Sequence, residues 1–226
     1  MEQPRVGVII VAGGSGSRMG GTLPKQFALV GGEPILGRTI NAFHKALPTS
    51  RIVVVLPTEY IEFWRNFSAR FNIAKHTIVE GGKERFHSVK NGIDALSCEL
   101  DLIAVQDGVR PFASKEMILR VVDCATKNGA AIPVVKAVDS YRRVEGAASE
   151  IIDRTPLRIV QTPQIFAASI LRAAYDTDFR VDFTDDASVV EFSGEAISLC
   201  EGEYTNIKIT TPSDLAFAEA IAKADN

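Results

Sequence analysis

Cysteine and histidine are scarce in this sequence of 226 residues, with three of each. No Cys-x-x-Cys motif occurs, and the histidines do not have the spacing of metal ligands. These absences argue against a disulfide framework and against a thiolate or imidazole metal centre. Cys98, Cys124 and Cys200 are odd in number and far apart, which is typical of buried, reduced thiols. We therefore expect a reducing compartment, the cytoplasm.

Strong charge and long apolar runs are also absent. The net charge of −3 gives no basic field, so neither nucleic acid nor an anionic membrane is expected as a partner. No apolar run approaches the ~18 residues of a membrane span. The N-terminal apolar run lacks a small-x-small cleavage site, so no signal peptide is expected. The remaining composition is that of an ordinary globular protein, and we expect one domain over residues 1–226.

Apolar, β-branched runs alternate with segments of helical periodicity. Strands are predicted at Arg5–Val11, Arg51–Leu56, His76–Val79, Asp101–Val105 and Ala130–Val135. Helices are predicted at Ile35–Leu47, Thr58–Phe71, Glu84–Leu96 and Ser114–Lys127. This alternation predicts an α/β fold, a three-layer sandwich with a mostly parallel, Rossmann-like sheet. Ligands of such sheets bind beyond the carboxyl ends of the strands.

The alternation stops after Val135. Lys136–Val144 and Ile151–Val160 are β-prone and charged, and a turn-like stretch separates them, which predicts a protruding two-stranded β-arm at about 136–160. An isolated hairpin is only marginally stable in water, so we expect the arm to pack on a second subunit in a homodimer. The remaining elements are predicted as helices at Ala167–Tyr175, from Asp185 to about Phe192 and from Ser213, and a strand at Asn206–Ile209.

The glycine-rich loop after the first strand, Gly13–Arg18, is the most informative segment. Glycines let backbone N–H groups approach phosphate oxygens closely. A dinucleotide fingerprint needs a small residue where Met19 stands, and a Walker A loop needs Lys-Ser/Thr where Thr22 follows. Two cations, Arg18 and Lys25, accompany the loop instead. This combination favours the triphosphate of a nucleotide that is attacked at phosphorus.

Two further segments lie at predicted junctions on the same edge of the sheet. Gly81–Lys83 precedes a helix on which Arg85, Ser88 and Gly92 share one face, away from the core. Its amides and the Ser88 hydroxyl suit the edge of a base, although an ordinary glycine turn explains the segment equally well. Asp107 ends an apolar strand, where it suits either Mg²⁺ or a structural pair with Arg110.

Thr184 and Lys208 are ambiguous by themselves. Thr184 precedes two aspartates, a pattern that is complete as a helix N-cap but also leaves amides for a phosphate. Lys208 is isolated in a short apolar segment, where a surface charge is the simpler interpretation.

Taken in order, these motifs resemble those of the cytidylyltransferases that act on 2-C-methyl-D-erythritol 4-phosphate (MEP) in isoprenoid precursor biosynthesis. The resemblance runs from Val6 to about Ala222. It rests on Ala12-Gly-Gly-Ser-Gly-Ser-Arg-Met, Pro24-Lys-Gln-Phe, Gly82-x-x-Arg85-x-x-Ser88-Val89, Asp107-Gly-Val-Arg110-Pro-Phe, Asp153-Arg154, Gln161-Thr-Pro-Gln, Thr184-Asp-x-Ala-Ser and Asn206-x-Lys208-x-Thr210.

The resemblance implies a reaction in which CMP passes from CTP to MEP with release of pyrophosphate, and it implies roles for individual residues. The implied catalytic residues are Arg18, Lys25, Arg154 and Lys208. Nucleotide binding would fall to Ala12, Gly13, Gly14, Gly16, Gly82, Lys83, Arg85 and Ser88. Substrate binding would fall to Asp107, Arg110, Ser140, Arg154, Thr184 and Lys208, and Asp107 would also help to hold Mg²⁺ or another divalent cation. Lys83 stands where an acidic residue is frequent, and Ser140 where threonine is frequent.

Three other functions are also compatible with parts of this sequence. A pentitol-phosphate cytidylyltransferase, acting on ribitol 5-phosphate, shares the glycine loop and the Asp-x-x-Arg-Pro-Phe motif. A nucleotide-binding regulator would keep the loop but would not need Lys25, Asp107 and Lys208. A nicotinamide dehydrogenase is the third alternative. For the MEP reaction no general base is required, because the attacking phosphate oxygen is already largely ionised near neutral pH, so catalysis is charge neutralisation and in-line positioning.

The glycine loop and its cations lead to a first prediction. Arg18→Ala and Lys25→Ala should each lower kcat by roughly two orders of magnitude, because each removes a cation that stabilises the charge developing in the transition state. Steady-state turnover of each variant, with circular dichroism to verify the fold, provides the measurement. A near-normal kcat in a well-folded variant would remove that residue from the mechanism.

Overall fold

The first strand lies in the middle of the central sheet. A computed structural model describes residues 3–13, 24–97 and 99–224. β1 (Val6–Val11) pairs in parallel with β4 (Arg51–Leu56) on one side and with β6 (Leu102–Asp107) on the other. β5 (Thr77–Glu80) extends the sheet beyond β4, also in parallel. The predicted strands of this half are confirmed to within a residue or two.

The other half of the sheet is mixed. β11 (Gln164–Ala167) lies between β6 and β7 (Ala130–Lys136) and is antiparallel to both. β10 (Arg158–Val160) and β12 (Ser198–Glu201) both pair with β7, the first antiparallel and the second parallel. In the described residues the strand order is β10-β7-β11-β6-β1-β4-β5, with β12 attached to β7.

Helices cover both faces of the sheet, which confirms the predicted three layers. On one face lie α1 (Ile35–Ala46), α2 (Thr58–Ser68) and α4 (Lys115–Asn128), which pack against alternate residues of β1 such as Val8 and Ile10. On the other lie α3 (Arg85–Asp94), α5 (Ala168–Ala174) and α6 (Asp186–Phe192), which pack against Ile9. Alternation along the strand thus supplies both cores.

A third, smaller core lies beside the sheet. α7 (Pro212–Ala224) packs there near a short hairpin, β2 (Leu29–Val30) and β3 (Glu33–Pro34). The predicted strand at Asn206–Ile209 is wrong, because this segment has no ladder partner among the described residues. Its backbone is instead fixed by a bond from the Ile209 N–H to the Val109 carbonyl.

The arm is shorter than predicted. β8 (Tyr141–Glu145) and β9 (Ala148–Ile152) form a hairpin that pairs only with itself among the described strands. Lys136 still belongs to β7, and Arg158–Val160 returns to the sheet as β10. The predicted strands Lys136–Val144 and Ile151–Val160 were therefore wrong, because the first begins too early and the second ends too late. The hairpin leaves Val144 68% and Ile151 66% exposed.

The helix ends also differ from the predictions. α2 ends at Ser68 rather than Phe71, because the chain turns there and brings Ile73 and Ala74 against the core. α3 begins after Glu84, which forms a capping box with His87. Ser114 caps α4 as predicted, accepting a bond from the Met117 N–H. Cys124 and Cys200 are free and half-buried, whereas Cys98 lies outside the described residues.

Candidate active site

A cavity of about 520 Å³ opens at the carboxyl ends of β1 and β6 and beside the N-terminus of α3. Parallel strands end at the same edge, so the topology brings distant segments together here. The cavity is lined by Val11, Ala12, Gly13, Lys25, Gln26, Gly82, Lys83, Glu84, Arg85, Ser88, Asp107, Val109, Lys208 and Thr210. Most of the residues predicted to bind nucleotide or to act in catalysis are therefore gathered at one site.

Lys25 is placed by the short 3₁₀ helix Lys25–Phe27, which packs on the sheet through its two other residues. Phe27 is buried and stacks on Trp64 of α2, with ring centroids 5.6 Å apart. The buried Gln26 side chain donates a 2.9 Å bond to the Ala12 carbonyl, at the end of β1. Lys25 is thus fixed relative to the start of the glycine loop. Gly14, Gly16 and Arg18 lie outside the described residues.

The turn before α3 forms another wall of the cavity. The Gly82 N–H donates a 3.1 Å bond to the Ser88 Oγ, one turn into the helix. The face that carries Ser88 and Gly92 was predicted to point away from the core, and this is wrong. Ser88 is buried, and a Cβ on Gly92 would lie 2.5 Å from the Ile9 side chain, so this face packs closely on β1.

Asp107, at the end of β6, is surrounded by cations. Its Oδ2 lies 3.0 Å from the Lys208 Nζ and 3.2 Å from the Arg110 Nε, and its Oδ1 lies 3.8 Å from the Arg85 Nε. Burial alone would raise the pKa of Asp107, but Arg85, Lys208 and Arg110 outweigh burial and lower the pKa to about 2. The carboxylate is therefore ionised at neutral pH. Lys208, which resembled a surface charge, belongs to this cluster.

Arg85 contacts a second carboxylate, which the sequence did not single out. Its two terminal nitrogens donate bonds of 3.0 and 2.7 Å to Asp186, the first residue of α6. Asp186 is fully buried and also accepts a 2.7 Å bond from the Tyr175 hydroxyl. The sequence did not reveal this buried carboxylate, because a Thr-Asp-Asp-Ala-Ser run does not show which aspartate caps the helix and which is buried. The cap is Asp185, not Thr184.

Buried amides connect the segments behind Asp107. The Asp107 N–H donates to the Thr162 Oγ1, and Asn206 donates to the Thr162 carbonyl. The Arg110 guanidinium in turn donates a 2.9 Å bond to the Asn206 carbonyl. The Gln161-Thr-Pro-Gln and Asn206 motifs therefore position the Asp107 and Lys208 segments, a role that their sequence alone did not specify.

Four predicted substrate-binding residues do not line this cavity: Arg110, Ser140, Arg154 and Thr184. Arg110 donates a bond to Asp107 instead. Thr184 is exposed and precedes the cap of α6. Ser140 and Arg154 are exposed and lie next to β8 and β9, and an Arg154 terminal nitrogen donates to the Val138 carbonyl. Within this chain the structure does not bring the arm residues to Asp107.

The described residues contain no cluster of three or more His, Cys, Asp or Glu side chains suited to a metal. Asp107 and Glu84 are the carboxylates among the described residues that line the cavity. None of the helices in the described ranges is long and apolar enough to cross a membrane.

A glycine-rich sequence directly after the central strand, with Lys25 and a strand-end carboxylate lining one cavity, is typical of a nucleotidyltransferase. Comparisons specify which one. A family model for 2-C-methyl-D-erythritol 4-phosphate cytidylyltransferase matches residues 6–224. A protein of that name from Bacteroides fragilis is 48% identical over 215 residues, covering 94% of this chain and 97% of the relative.

Solved structures agree. The crystal structure of the cytidylyltransferase of that name from Thermus thermophilus has a TM-score of 0.78 and 34% identity, covering 97% of this chain and 99% of that one. The 4-diphosphocytidyl-2C-methyl-D-erythritol synthase of Anaerococcus prevotii has a TM-score of 0.82 and 29% identity, covering 98% and 100%. The chain belongs to the 2-C-methyl-D-erythritol 4-phosphate cytidylyltransferase family and is a CTP-dependent nucleotidyltransferase. The ribitol-phosphate alternative is not favoured.

The turn at Gly82 leads to a second prediction. A Cβ on Gly82 would clash with the His87 Cβ and lie 3.1 Å from the His87 carbonyl carbon, so Gly82→Ala has to displace the turn. We expect the KM for CTP to rise about tenfold or more, because the amides of the turn leave their positions. Lys83→Ala removes the side chain but keeps the backbone N–H. An unchanged KM for CTP in this variant would therefore indicate that Lys83 contacts the nucleotide through its backbone. An unchanged KM for CTP in Gly82→Ala would exclude this turn from nucleotide binding.

Proposed function

We propose that this cavity is where the cytidylyl group passes from CTP to MEP. The observation that carries the proposal is that Lys25, the Gly82–Ser88 turn, Asp107 and Lys208 line one cavity. Gly82, Lys83 and Ser88 would contact the cytosine, and Ala12 and Gly13 would begin the phosphate loop. Lys25, with Arg18 from the loop, would stabilise the charge that develops at the α-phosphorus and on the departing pyrophosphate.

The second substrate would supply its own nucleophile. A phosphate monoester has its second pKa near 6, so an attacking oxygen is largely ionised at neutral pH. No histidine is among the described residues that line the cavity. In-line attack then requires the two polyanions to be held close together, and Lys208 and Arg110 supply charge for the incoming phosphate.

Asp107 fits a divalent cation such as Mg²⁺. Mg²⁺ is usually bound by one or two carboxylates together with substrate phosphates rather than by an all-protein cage. Asp107 is ionised, and it is the carboxylate among the cavity residues that ends a strand. When bound, the ion would neutralise charge on the triphosphate. Asp107 would hold it, while Lys25 and Lys208 would bind phosphate oxygens.

We further propose a homodimer in which each arm reaches the partner's site. The β8–β9 hairpin has little core of its own, and Val138, Val144 and Ile151 are more than half exposed. Arg154 and Ser140 lie on the arm, outside their own chain's cavity, so exchange of arms would supply the contacts that one chain lacks. Two-fold symmetry would complete both sites together. The free thiols of Cys124 and Cys200 are compatible with a cytoplasmic location.

A substrate comparison tests the proposed reaction. Pyrophosphate release from CTP should be fast with MEP and at least about tenfold slower with ribitol 5-phosphate, because a site assembled for one acceptor leaves polar groups unpaired with another. Excess EDTA should abolish release from either acceptor. Lys25→Ala serves as the inactive control. Equal rates with the two acceptors, or full activity in EDTA, would contradict the substrate or the metal requirement respectively.

Mixed dimers test the exchanged arm. Arg154→Ala and Lys208→Ala homodimers should both be nearly inactive, because each lacks a cation for the second substrate. Co-refolding the two variants at equal amounts makes about half of the dimers mixed, each with one intact site, so activity should recover to about a quarter of wild type. If mass spectrometry verifies mixed dimers and activity does not recover, the arm does not act on the partner's site.

A further inference from the structure

Arg85 lies between two carboxylates but binds them unequally. Its fork of two terminal nitrogens is bidentate to Asp186, at 3.0 and 2.7 Å, whereas its Nε stays 3.8 Å from Asp107. The second distance is beyond a hydrogen bond. The strong, directional contact of Arg85 is therefore made with Asp186, and Asp107 receives only a longer electrostatic interaction.

Asp186 is itself held firmly. It is fully buried at the start of α6 and accepts a bond from the Tyr175 hydroxyl, and the Tyr175 ring stacks on Phe86 with centroids 4.8 Å apart. Burial first and Asp186 second raise the pKa of Tyr175, so its hydroxyl remains a donor at neutral pH. The carboxylate that binds Arg85 is thus fixed from behind by the packing of α3, α5 and α6.

The charges around Asp107 explain why the contact between Arg85 and Asp186 matters for the site. Lys208 and Arg110 already lie on its Oδ2, and Arg85 faces its Oδ1. Without Asp186, the partly buried Arg85 guanidinium would lose its bidentate partner, and Asp107 is the nearest described carboxylate to take its place. Three cations would then be bonded directly to one carboxylate, and an incoming cation would have to displace one of them.

We infer that Asp186 is a positioning residue that draws Arg85 away from Asp107 and so keeps one oxygen of that carboxylate accessible to a divalent cation. This inference rests on the proposed role of Asp107 in holding the metal. It also changes the role given to Arg85. Because both terminal nitrogens are bonded to Asp186, Arg85 acts on the site through Asp107 rather than by contacting the base.

The test uses Asp186→Asn, Arg85→Gln and the double variant in the full chain, with Asp123→Asn as a matched change of an exposed carboxylate on α4. Mn²⁺ binding in the presence of CTP is measured by electron paramagnetic resonance. Asp186→Asn should weaken Mn²⁺ binding about tenfold or more, as changes in residues that orient metal ligands do. The double variant should regain most of that loss, since the released guanidinium is gone, and Asp123→Asn should bind as wild type does.

Three results would overturn the inference. One is wild-type Mn²⁺ affinity in a folded Asp186→Asn variant. Another is a double variant no better than Asp186→Asn. The third is a fall of about tenfold or more in the ratio of kcat/KM for CTP to that for UTP in Arg85→Gln, because a positioning role leaves base selection intact.

Two further measurements separate this inference from the role of Asp107. In a crystal structure of Asp186→Asn, Arg85 should move to hydrogen-bonding distance of Asp107, and an unchanged 3.8 Å separation would refute the inference whatever the metal does. Asp107→Asn should lose Mn²⁺ binding. If it keeps that binding, the proposed metal role of Asp107 fails, and the inference fails with it.

Discussion

The cluster of opposite charges around Asp107 is the interaction on which the rest of the site depends. A carboxylate at the end of a central strand attracts Lys208, Arg110 and Arg85 from three separate segments. These cations do not form a basic surface, since the chain as a whole is slightly acidic. They concentrate positive charge at one edge of the sheet, which is what two polyanionic substrates require.

Packing behind the cluster keeps it in place. The Asp107 backbone is bonded to Thr162, which in turn accepts a bond from Asn206, so the segment carrying Lys208 is tied to the end of β6 through buried amides. On the opposite side, Asp186 fixes Arg85. Buried polar groups of this kind are costly when they lose their partners, so the bonds that these groups do make favour one arrangement of the segments. The polar core behind the site is as important as the residues that face the cavity.

Local patterns predicted the parallel half of the fold well. The burial of β1 on both faces, through Ile9 and Ile10, and the Ser114 cap are each determined within a few residues of the chain. The mixed half was predicted poorly. β11 follows a proline and carries glutamine, and β12 is short, so neither has a strong local signal. Pairing with β6 and β7 makes β11 a strand, and pairing with β7 makes β12 one. Asn206–Ile209, in contrast, has a local pattern typical of a strand, but no described strand lies beside it to pair with.

The sequence by itself predicted the class of chemistry, because the glycines after β1, Lys25 soon after them and Asp107 at the end of β6 can be read from local order along the chain. Only the tertiary structure decided how the charges are shared. Whether Lys208 is a surface charge or a partner of Asp107, and whether Arg85 faces one carboxylate or two, depends on contacts between residues about a hundred positions apart. Electrostatic energy falls with distance in space, not along the chain, so these assignments exist only once the sheet has brought the segments together.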